Sequence, residues 1–530
     1  MKEEKLLHKC DRVMAFSYYA LIYFLPFSTF FIEAFYSIAQ ITYFVKRGIF
    51  FYYHSKEVRG ERIHISCFKK PLFFIKCFLP VNSFLNKSIG VFILVNFVTI
   101  FFSTHPFISV KTFFFKILQS CFSCFILIEC INNFKRLKRF LFVFFLSTSL
   151  VGINGVTQLI RGYGFLRGNP VEHDGRIWSS FKHPNDFGSY LIIVVLLLLS
   201  FLLFSPIFAK ERKDYEQKSR EMKTIYSWFF LLIGFLLFIL SLFCLGFTFS
   251  KGAWVGLMVS LLLLSFLAKK RFWAPLVIAM VFFLIFQPLL ERIRNKESFI
   301  KPKTQTLQEI IKIVKEADLL REEDERSFDN KRNRVMTQQA VQLQSSEELT
   351  VGKKIKAQTE EKKWNEIQAI REKDVFVKNK EIIFRFISMV YIMPMANGRI
   401  DLWGSSAQII KDYPVWGAGL GTFSRLAPEY GIKDGYYSHN GFLHMASEVG
   451  VIGLGSFLFI IFSLYQNTFK NLKLLNNRFY LSMTVGILVG LVGFFVHSLF
   501  DTNMYSIQLN TLMWMMIGLI VAVQKIDLTK

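Results

Sequence analysis

Long apolar runs recur along the whole chain, separated by short polar stretches. Each run is close to the roughly 20 residues that a helix needs to cross a hydrocarbon core of ~30 Å. The runs are continuous and do not alternate, which favours helices over a barrel. The pattern therefore predicts an all-α polytopic membrane protein with about twelve transmembrane helices, at 13–28, 31–45, 88–103, 110–131, 139–160, 187–208, 225–245, 253–267, 272–290, 449–465, 479–499 and 506–524.

The polar loops alternate in charge. The loops after the second, fourth, sixth, eighth and tenth runs are rich in Lys and Arg, including NNFKRLKR and AKKR. Short basic loops stay on the cytoplasmic side, so the N-terminus is predicted inside. Loops 161–186 and 291–448, and the short loops at 103–109, 246–252 and 499–506, then lie on the outward face.

Four regions follow from this threading: residues 1–290 with nine helices, an insert at 291–385, an outward loop at 386–448 that carries the candidate chemistry, and residues 449–530 with three helices. The insert is almost free of Gly and Pro and dense in Glu, Lys, Arg and Gln. We expect it to be partly helical or disordered, and a partner-binding arm is the alternative.

Composition supports a membrane protein. The 530 residues are 52% hydrophobic, include 62 Phe, and have a mean hydropathy of +0.37. The net charge of +25 suggests nucleic-acid binding as a hypothesis. The Lys and Arg residues lie mostly in short loops between spans, so we expect no nucleic-acid partner. None of the seven cysteines lies in a predicted outward loop, so we expect no disulfides. We also expect no cleavable signal peptide, since the first polar residues lead directly into a span.

Potentially chemical side chains are densest at 397–453. His439 precedes a helix that runs into the tenth span, and an imidazole there can act as a base. Arg399, in GRIDLW, offers a planar fork for phosphate oxygens. The glycines of GAGLG lack a preceding strand and predict a tight turn, not a nucleotide loop. No metal-binding or ATP-binding motif occurs, so no cofactor is expected.

Other polar residues stand at the predicted mouths of helices. His183 and Asn185 open the sixth span, Lys251 opens the eighth, and Asp501 follows the eleventh. Each could be only an interfacial anchor. The threading nevertheless places them on the same outward face as Arg425 and His439, which predicts one composite site.

These motifs resemble the O-antigen ligase / O-antigen polymerase superfamily of bacterial membrane glycosyltransferases. The resemblance covers about 140 to 525 and is carried by GRIDLW, DYPVWGAGLGTF, FKHPN, FSKGAW and an HN-x9-GxxG pattern beginning at His439. It implies a GT-C-like fold in the bacterial inner membrane, with the active site on the periplasmic face. It also implies transfer of a glycan from an undecaprenyl-pyrophosphate carrier to a hydroxyl of the lipid A core, without metal or ATP.

The resemblance also implies roles for individual residues. His439 would be the base and Arg399 a catalytic pyrophosphate ligand; candidate substrate-binding residues are Lys251, Arg425, His183, Asn185, Asn440 and Asp501. Two departures stand out. Lys251 replaces the family's usual Arg and loses its bidentate fork, and compact members lack the insert at 291–385.

Several alternatives remain open. An O-antigen polymerase or a protein O-oligosaccharyltransferase would use the same chemistry on another acceptor. A transporter is a different class, although no internal repeat supports it. A structural membrane protein with a helical signalling arm is a further alternative.

Overall fold

A computed structural model describes residues 2–60, 83–172, 175–204, 217–268, 397–432, 437–475 and 477–528, with a few positions between 273 and 278. The chain divides into two compact units, Met1–Arg292 with Met395–Lys530, and Ile293–Pro394. Only the first unit contains described residues. The predicted insert at 291–385 lies outside them, as does most of the predicted ninth span at 272–290.

The described part is helical, with one isolated antiparallel bridge between Tyr163 and Pro170 and no strand. Its helices are α1 Lys2–Phe24, α2 Thr29–Gly60, α3 Asn86–Thr99, α4 Pro106–Thr112, α5 Gln119–Cys130, α6 Phe134–Arg161, α7 Pro184–Phe204, α8 Gln217–Phe247, α9 Lys251–Ala268, α10 Asn397–Asp412, α11 Phe423–Leu426, α12 Gly441–Leu472, α13 Arg478–His497 and α14 Ile507–Leu528. A π-helical turn, Phe113–Leu118, joins α4 to α5 without a break. Short 3-10 turns occur at Ile100–Phe102, Ala427–Tyr430 and Asn503–Tyr505.

Seven helical segments in the described residues are long and apolar enough to cross a membrane: the joined α4–α5 segment, α6, α7, α9, α12, α13 and α14. Two shorter apolar helices, Asn86–Phe102 and Leu231–Phe247, coincide with predicted spans. The all-α membrane architecture is therefore confirmed, and the count of twelve stays a prediction.

The sequence placed a basic loop immediately after the second span, and here the structure differs. Helix α2 continues to Gly60, so Lys46 and Arg47 lie inside it. Lys46 pairs with Asp11 of α1 at 2.6 Å, and both cations pair with Glu129 near the end of α5. Because carboxylates from two other helices neutralise these cations, the helix can continue through them.

Close helix packing holds the centre of the bundle. A Cβ at Gly256 of α9 would lie 2.4 Å from the carbonyl oxygen of Gly493 in α13, and one at Gly486 would lie 2.9 Å from the Leu197 backbone in α7. Small residues at such crossings let backbones approach within van der Waals contact. The Ser260 hydroxyl adds a 3.0 Å hydrogen bond to the Val489 carbonyl. This close packing holds α7, α9 and α13 together and fixes the relative positions of their ends.

The glycine-rich segment between α10 and α11 forms the predicted tight turn. Gly417, Gly419 and Gly421 all have positive φ, the left-handed region that favours glycine. A Cβ at Gly417 would lie 2.3 Å from the Glu448 backbone, and Gly419 donates a 2.8 Å hydrogen bond to the Glu448 carbonyl. The turn therefore packs directly against α12 and positions that helix beside α10.

Candidate functional site

The candidate base stands at the start of α12, where the backbone is held firmly. Asn440 caps the helix, because its side-chain oxygen accepts hydrogen bonds from the Phe442 and Leu443 amides at 3.0 Å. The Gly441 amide donates to the Ser498 carbonyl at 2.7 Å and to the Asp501 carbonyl at 3.1 Å. Helix α12 is therefore tied to the loop that follows α13.

His439 lies just before this cap in an uncommon conformation. Its φ is 48°, in the left-handed region that non-glycine residues rarely adopt. Its Nδ1 lies 3.3 Å from Oδ1 of Asp501. The His439 side chain is 33% exposed and the Asp501 side chain 13% exposed, so the imidazole is reachable while the carboxylate lies largely behind it.

Asp501 is held in its ionised form. Burial alone would raise the pKa of this carboxyl, but the hydrogen bond from His439 and the charges of His497 and His439 outweigh burial and keep the pKa well below its usual range. The Thr502 amide also donates to Asp501 Oδ1 at 2.8 Å. Because an ionised carboxylate can only accept, Nδ1 of His439 carries a hydrogen, and in the neutral imidazole Nε2 then carries the lone pair. That tautomer suits a general base.

A chain of hydrogen bonds extends from Asp501 to a half-buried cation. The Asn185 amide donates to Asp501 Oδ2 at 2.5 Å, and Arg176 Nη2 donates to Asn185 Oδ1 at 2.8 Å. Arg176 Nε also donates to the Thr248 carbonyl at 2.8 Å, and its Nη1 lies 3.7 Å from Glu172. Arg176 is a residue that the sequence reasoning missed, although it lies in the same outward loop as His183.

His183 belongs to the same electrostatic neighbourhood. Its Nδ1 accepts a 3.2 Å hydrogen bond from the Asn185 backbone amide. Desolvation lowers the pKa of His183; Asp501 opposes the shift, and Arg176, His439 and Arg399 add to it. His183 is therefore predominantly neutral near pH 7. The influence of Arg399 also means that α10 brings its guanidinium within electrostatic range of the cluster.

Lys251, the first residue of α9, is exposed, and its chain neighbours Ser250 and Gly252 lie against a second missed residue, His497. His497 is 1% exposed; its Nδ1 lies 2.7 Å from the Ser189 hydroxyl and its Nε2 lies 3.3 Å from the Ser250 hydroxyl. It thus links the end of α13 to the starts of α7 and α9. A histidine at the end of an apolar run, four residues before Asp501, was the available signal.

Two predicted residues do not join the hydrogen bonds between the side chains of the cluster in the described part of the chain. Arg425 is exposed in α11, and no hydrogen bond or ion pair in the described part of the chain joins it to His439 or Asp501. The Asn440 side-chain oxygen is occupied by the helix cap, so any contact with a substrate would use its amide nitrogen. The structure thus brings together His439, Asp501, Asn185, His183 and, at longer range, Arg399.

No group of three or more His, Cys, Asp or Glu side chains in the described residues is arranged to hold a metal ion. The five described cysteines are free and buried: Cys10, Cys121, Cys124, Cys130 and Cys244. The cluster instead offers one oriented imidazole, one carboxylate and nearby guanidinium groups. This arrangement can remove a proton from a hydroxyl beside a site that favours anions.

A comparison with models of protein families gives a match. A family model described as O-antigen ligase matches residues 393–458, a segment that includes Arg399, Arg425, His439 and the kink of α12 at Gly450. The match confirms the predicted resemblance to the O-antigen ligase / polymerase superfamily. No curated protein matches the chain.

Proposed function

From this match to the O-antigen ligase family, we propose that the protein is a membrane glycosyltransferase. It transfers a glycan from an undecaprenyl-pyrophosphate carrier to a hydroxyl of the lipid A core, as an O-antigen ligase. The observation that carries the proposal is the contact between His439 and Asp501, at 3.3 Å, within a segment that resembles O-antigen ligases.

The proposed reaction is an in-line displacement at the anomeric carbon of the glycan. The acceptor oxygen forms a bond to that carbon while the bond to the carrier phosphate oxygen breaks, and the electron pair leaves on the pyrophosphate. The acceptor proton passes to Nε2 of His439. Asp501 then stabilises the imidazolium, in the way that a buried carboxylate supports the histidine of a catalytic triad.

The leaving group is the second task of the site. Negative charge develops on the pyrophosphate, so cations that are already in place lower the barrier. Arg399 is the candidate catalytic ligand, because it acts electrostatically on the cluster and its guanidinium suits phosphate geometry. Lys251 would add a point charge, and Arg176 would support the site through Asn185.

We place the site on the periplasmic face of the bacterial inner membrane. Two observations support this position. The alternation of basic loops predicts that the starts of α7, α9 and α12 face outward. In the structure these ends meet, since Asn185 binds Asp501, Ser250 lies against His497, and Gly441 binds Ser498.

An in vitro transfer assay tests the proposal. Purified protein in detergent receives undecaprenyl-pyrophosphate glycan and one candidate acceptor, without added metal or ATP. Wild type is compared with His439→Ala, and with His105→Ala as a matched control, because His105 is an exposed histidine of another predicted outward loop. We expect one glycan addition to lipid A core, unchanged in His105→Ala and reduced about 10²–10⁴-fold in His439→Ala.

The product identifies the acceptor class. A ladder of longer carrier-linked glycans would indicate a polymerase, and a glycosylated protein would indicate an oligosaccharyltransferase. Absence of transfer to every acceptor, from a folded sample, would contradict the enzyme and favour transport. Normal activity of folded His439→Ala would contradict the assigned base.

A further inference from the structure

A separate cavity lies beside the cluster, with a volume of about 190 Å³. Its lining includes neither His439 nor Asp501, but it includes Tyr437, two residues before His439, and Tyr505, four residues after Asp501. The volume corresponds to roughly six water molecules at ~30 Å³ each, which suits one ring-sized ligand. The cavity is therefore close to the candidate site and too small for a polyprenyl chain.

A histidine with an unpaired ring nitrogen lines this cavity. His444 is 2% exposed, and its ring packs between Phe423 and Tyr505, with centroid distances of 4.2 and 4.1 Å. Its Nε2 lies 3.5 Å from Glu448 Oε1, so the carboxylate favours a hydrogen on Nε2 and leaves Nδ1 as an acceptor. Nδ1 has no hydrogen-bond partner in the described residues. A buried acceptor without a donor is unfavourable, and a ligand hydroxyl would satisfy it.

The rest of the lining narrows the chemistry of the ligand. Two carboxylates, Glu33 and Glu448, face the cavity with a single lysine, Lys116, which disfavours an anion such as a phosphate. Several side chains that form hydrogen bonds disfavour a purely apolar occupant: Asn96, Gln119, Ser120, Asn510 and Thr511. Aromatic rings, including Tyr36, Tyr505 and Trp514, supply flat apolar walls. Aromatic walls with scattered hydrogen-bonding groups suit a neutral sugar ring.

The cavity also reaches the surface. Ser424, just after the glycine turn, and Phe115, in the π-helical turn, both line the cavity and are exposed. Single π-helical turns within α-helices are frequent at functional sites. A ligand could therefore enter between the π-helical turn and α11.

We propose that this cavity binds one neutral saccharide ring, whose hydroxyl donates a hydrogen bond to Nδ1 of His444. Its role in transfer rests on the proposed function, in which the ring belongs either to the acceptor or to the carrier-linked glycan. The pocket would hold that sugar beside the segment that carries His439.

Direct sugar binding tests the pocket independently of transfer. Glucose, galactose and N-acetylglucosamine, with glucose 6-phosphate as the anionic counterpart, are titrated into detergent-solubilised wild type and His439→Ala by calorimetry. We expect a neutral sugar to bind both proteins equally. His444→Leu should weaken binding about three- to tenfold, the value of one hydrogen bond, with His105→Leu as the unchanged control.

A second variant distinguishes loss of binding from loss of folding. Ser424 is exposed, so its substitution should leave the fold intact. Ser424→Phe should narrow the cavity and weaken sugar binding at least as much as His444→Leu, whereas Ser424→Ala should not. Wild type that binds no neutral sugar would overturn the proposal, and so would wild-type affinity in both Ser424→Phe and His444→Leu. Tighter binding of the phosphorylated sugar would overturn its neutral character.

Transfer kinetics then identify the source of the sugar. A rise in KM of Ser424→Phe for the acceptor alone assigns the pocket to the acceptor, and a rise for the carrier-linked glycan alone assigns it to the donor. His444-dependent sugar binding by a protein that transfers nothing would retain the pocket and reject the glycosyltransferase. Active transfer by a protein that binds no sugar would reject the pocket and retain the glycosyltransferase.

Discussion

Replacement of Asp501 by Asn tests the proposed mechanism most directly. The substitution keeps the size of the side chain but removes the charge behind His439 and introduces an amide that can donate to Nδ1. A donor at that position moves the hydrogen of the imidazole to Nε2, which can then no longer take a proton. The variant should therefore fold and bind the carrier, yet lose its base.

The magnitude follows from the distance. Two unit charges 3.3 Å apart interact by about 5 kcal/mol at an effective dielectric constant near 20. Solvent screens this value, because the His439 side chain is 33% exposed, so we expect a loss of about 3–4 kcal/mol. Since ~1.4 kcal/mol corresponds to a factor of ten, kcat should fall about 10²–10³-fold.

The assay is single-turnover glycan transfer, with KM for the carrier measured separately. Asp501→Glu retains a carboxylate and serves as the matched control, which should recover part of the rate. An acceptor with a more acidic hydroxyl depends less on a base, so the loss in Asp501→Asn should shrink with such acceptors. A merely structural role would not produce that change. A kcat within threefold of wild type in folded Asp501→Asn would refute the reasoning.

Three further predictions concern stability and carrier binding. Because folding lowers the pKa of Asp501, the contribution of this carboxylate to stability is present above pH ~4 and is lost below it. Because folding also lowers the pKa of His183, protonation of His183 destabilises the fold below pH ~6.5. Tm should therefore fall in two stages on acidification, and the upper stage should be absent in His183→Gln. Gly450→Ala should destabilise the folded protein by about 1–3 kcal/mol, since φ is 65° and the new Cβ would lie 2.2 Å from the Val415 oxygen. Gly455→Ala is the control and should not lower Tm, because nothing lies within 4 Å of its new Cβ. Equal Tm values for the two variants would contradict this prediction. Lys251→Ala should raise KM for the carrier about three- to tenfold, and Lys251→Arg should not. An unchanged KM in Lys251→Ala would contradict the assignment of Lys251 to the site.

The sequence predicted the helices well where apolar runs were long. The runs at 139–160 and 479–499 correspond to α6 and α13, because continuous apolar residues satisfy both burial and the bilayer. Prediction was less accurate where charges lie inside a helix. Lys46 and Arg47 ended the predicted second span, but α2 continues because Glu129 of α5 neutralises them. A partner that lies 82 or 83 residues away in the chain cannot be read from a local pattern.

The candidate site, like the helices, was predicted from the sequence only in part. The motifs and the loop charges indicated that His183, Asn185, Lys251, Arg399, His439 and Asp501 belong to one face. They did not indicate that Asn185 joins Asp501 to Arg176, or that His497 links three helices. Residues without a recognised motif acquire a role only through their neighbours, so Arg176 and His497 were missed.

By itself, then, the sequence determined the class of the protein, its helical runs and the segment that carries the candidate chemistry. These depend on hydropathy, on the charge of loops and on residue types, all of which are local properties. Only the tertiary structure decided which oxygen faces the His439 ring and which nitrogen of His444 lies unpaired beside a cavity. Such contacts depend on side chains separated by up to hundreds of residues, and only the packing of α7, α9, α12 and α13 sets their distances.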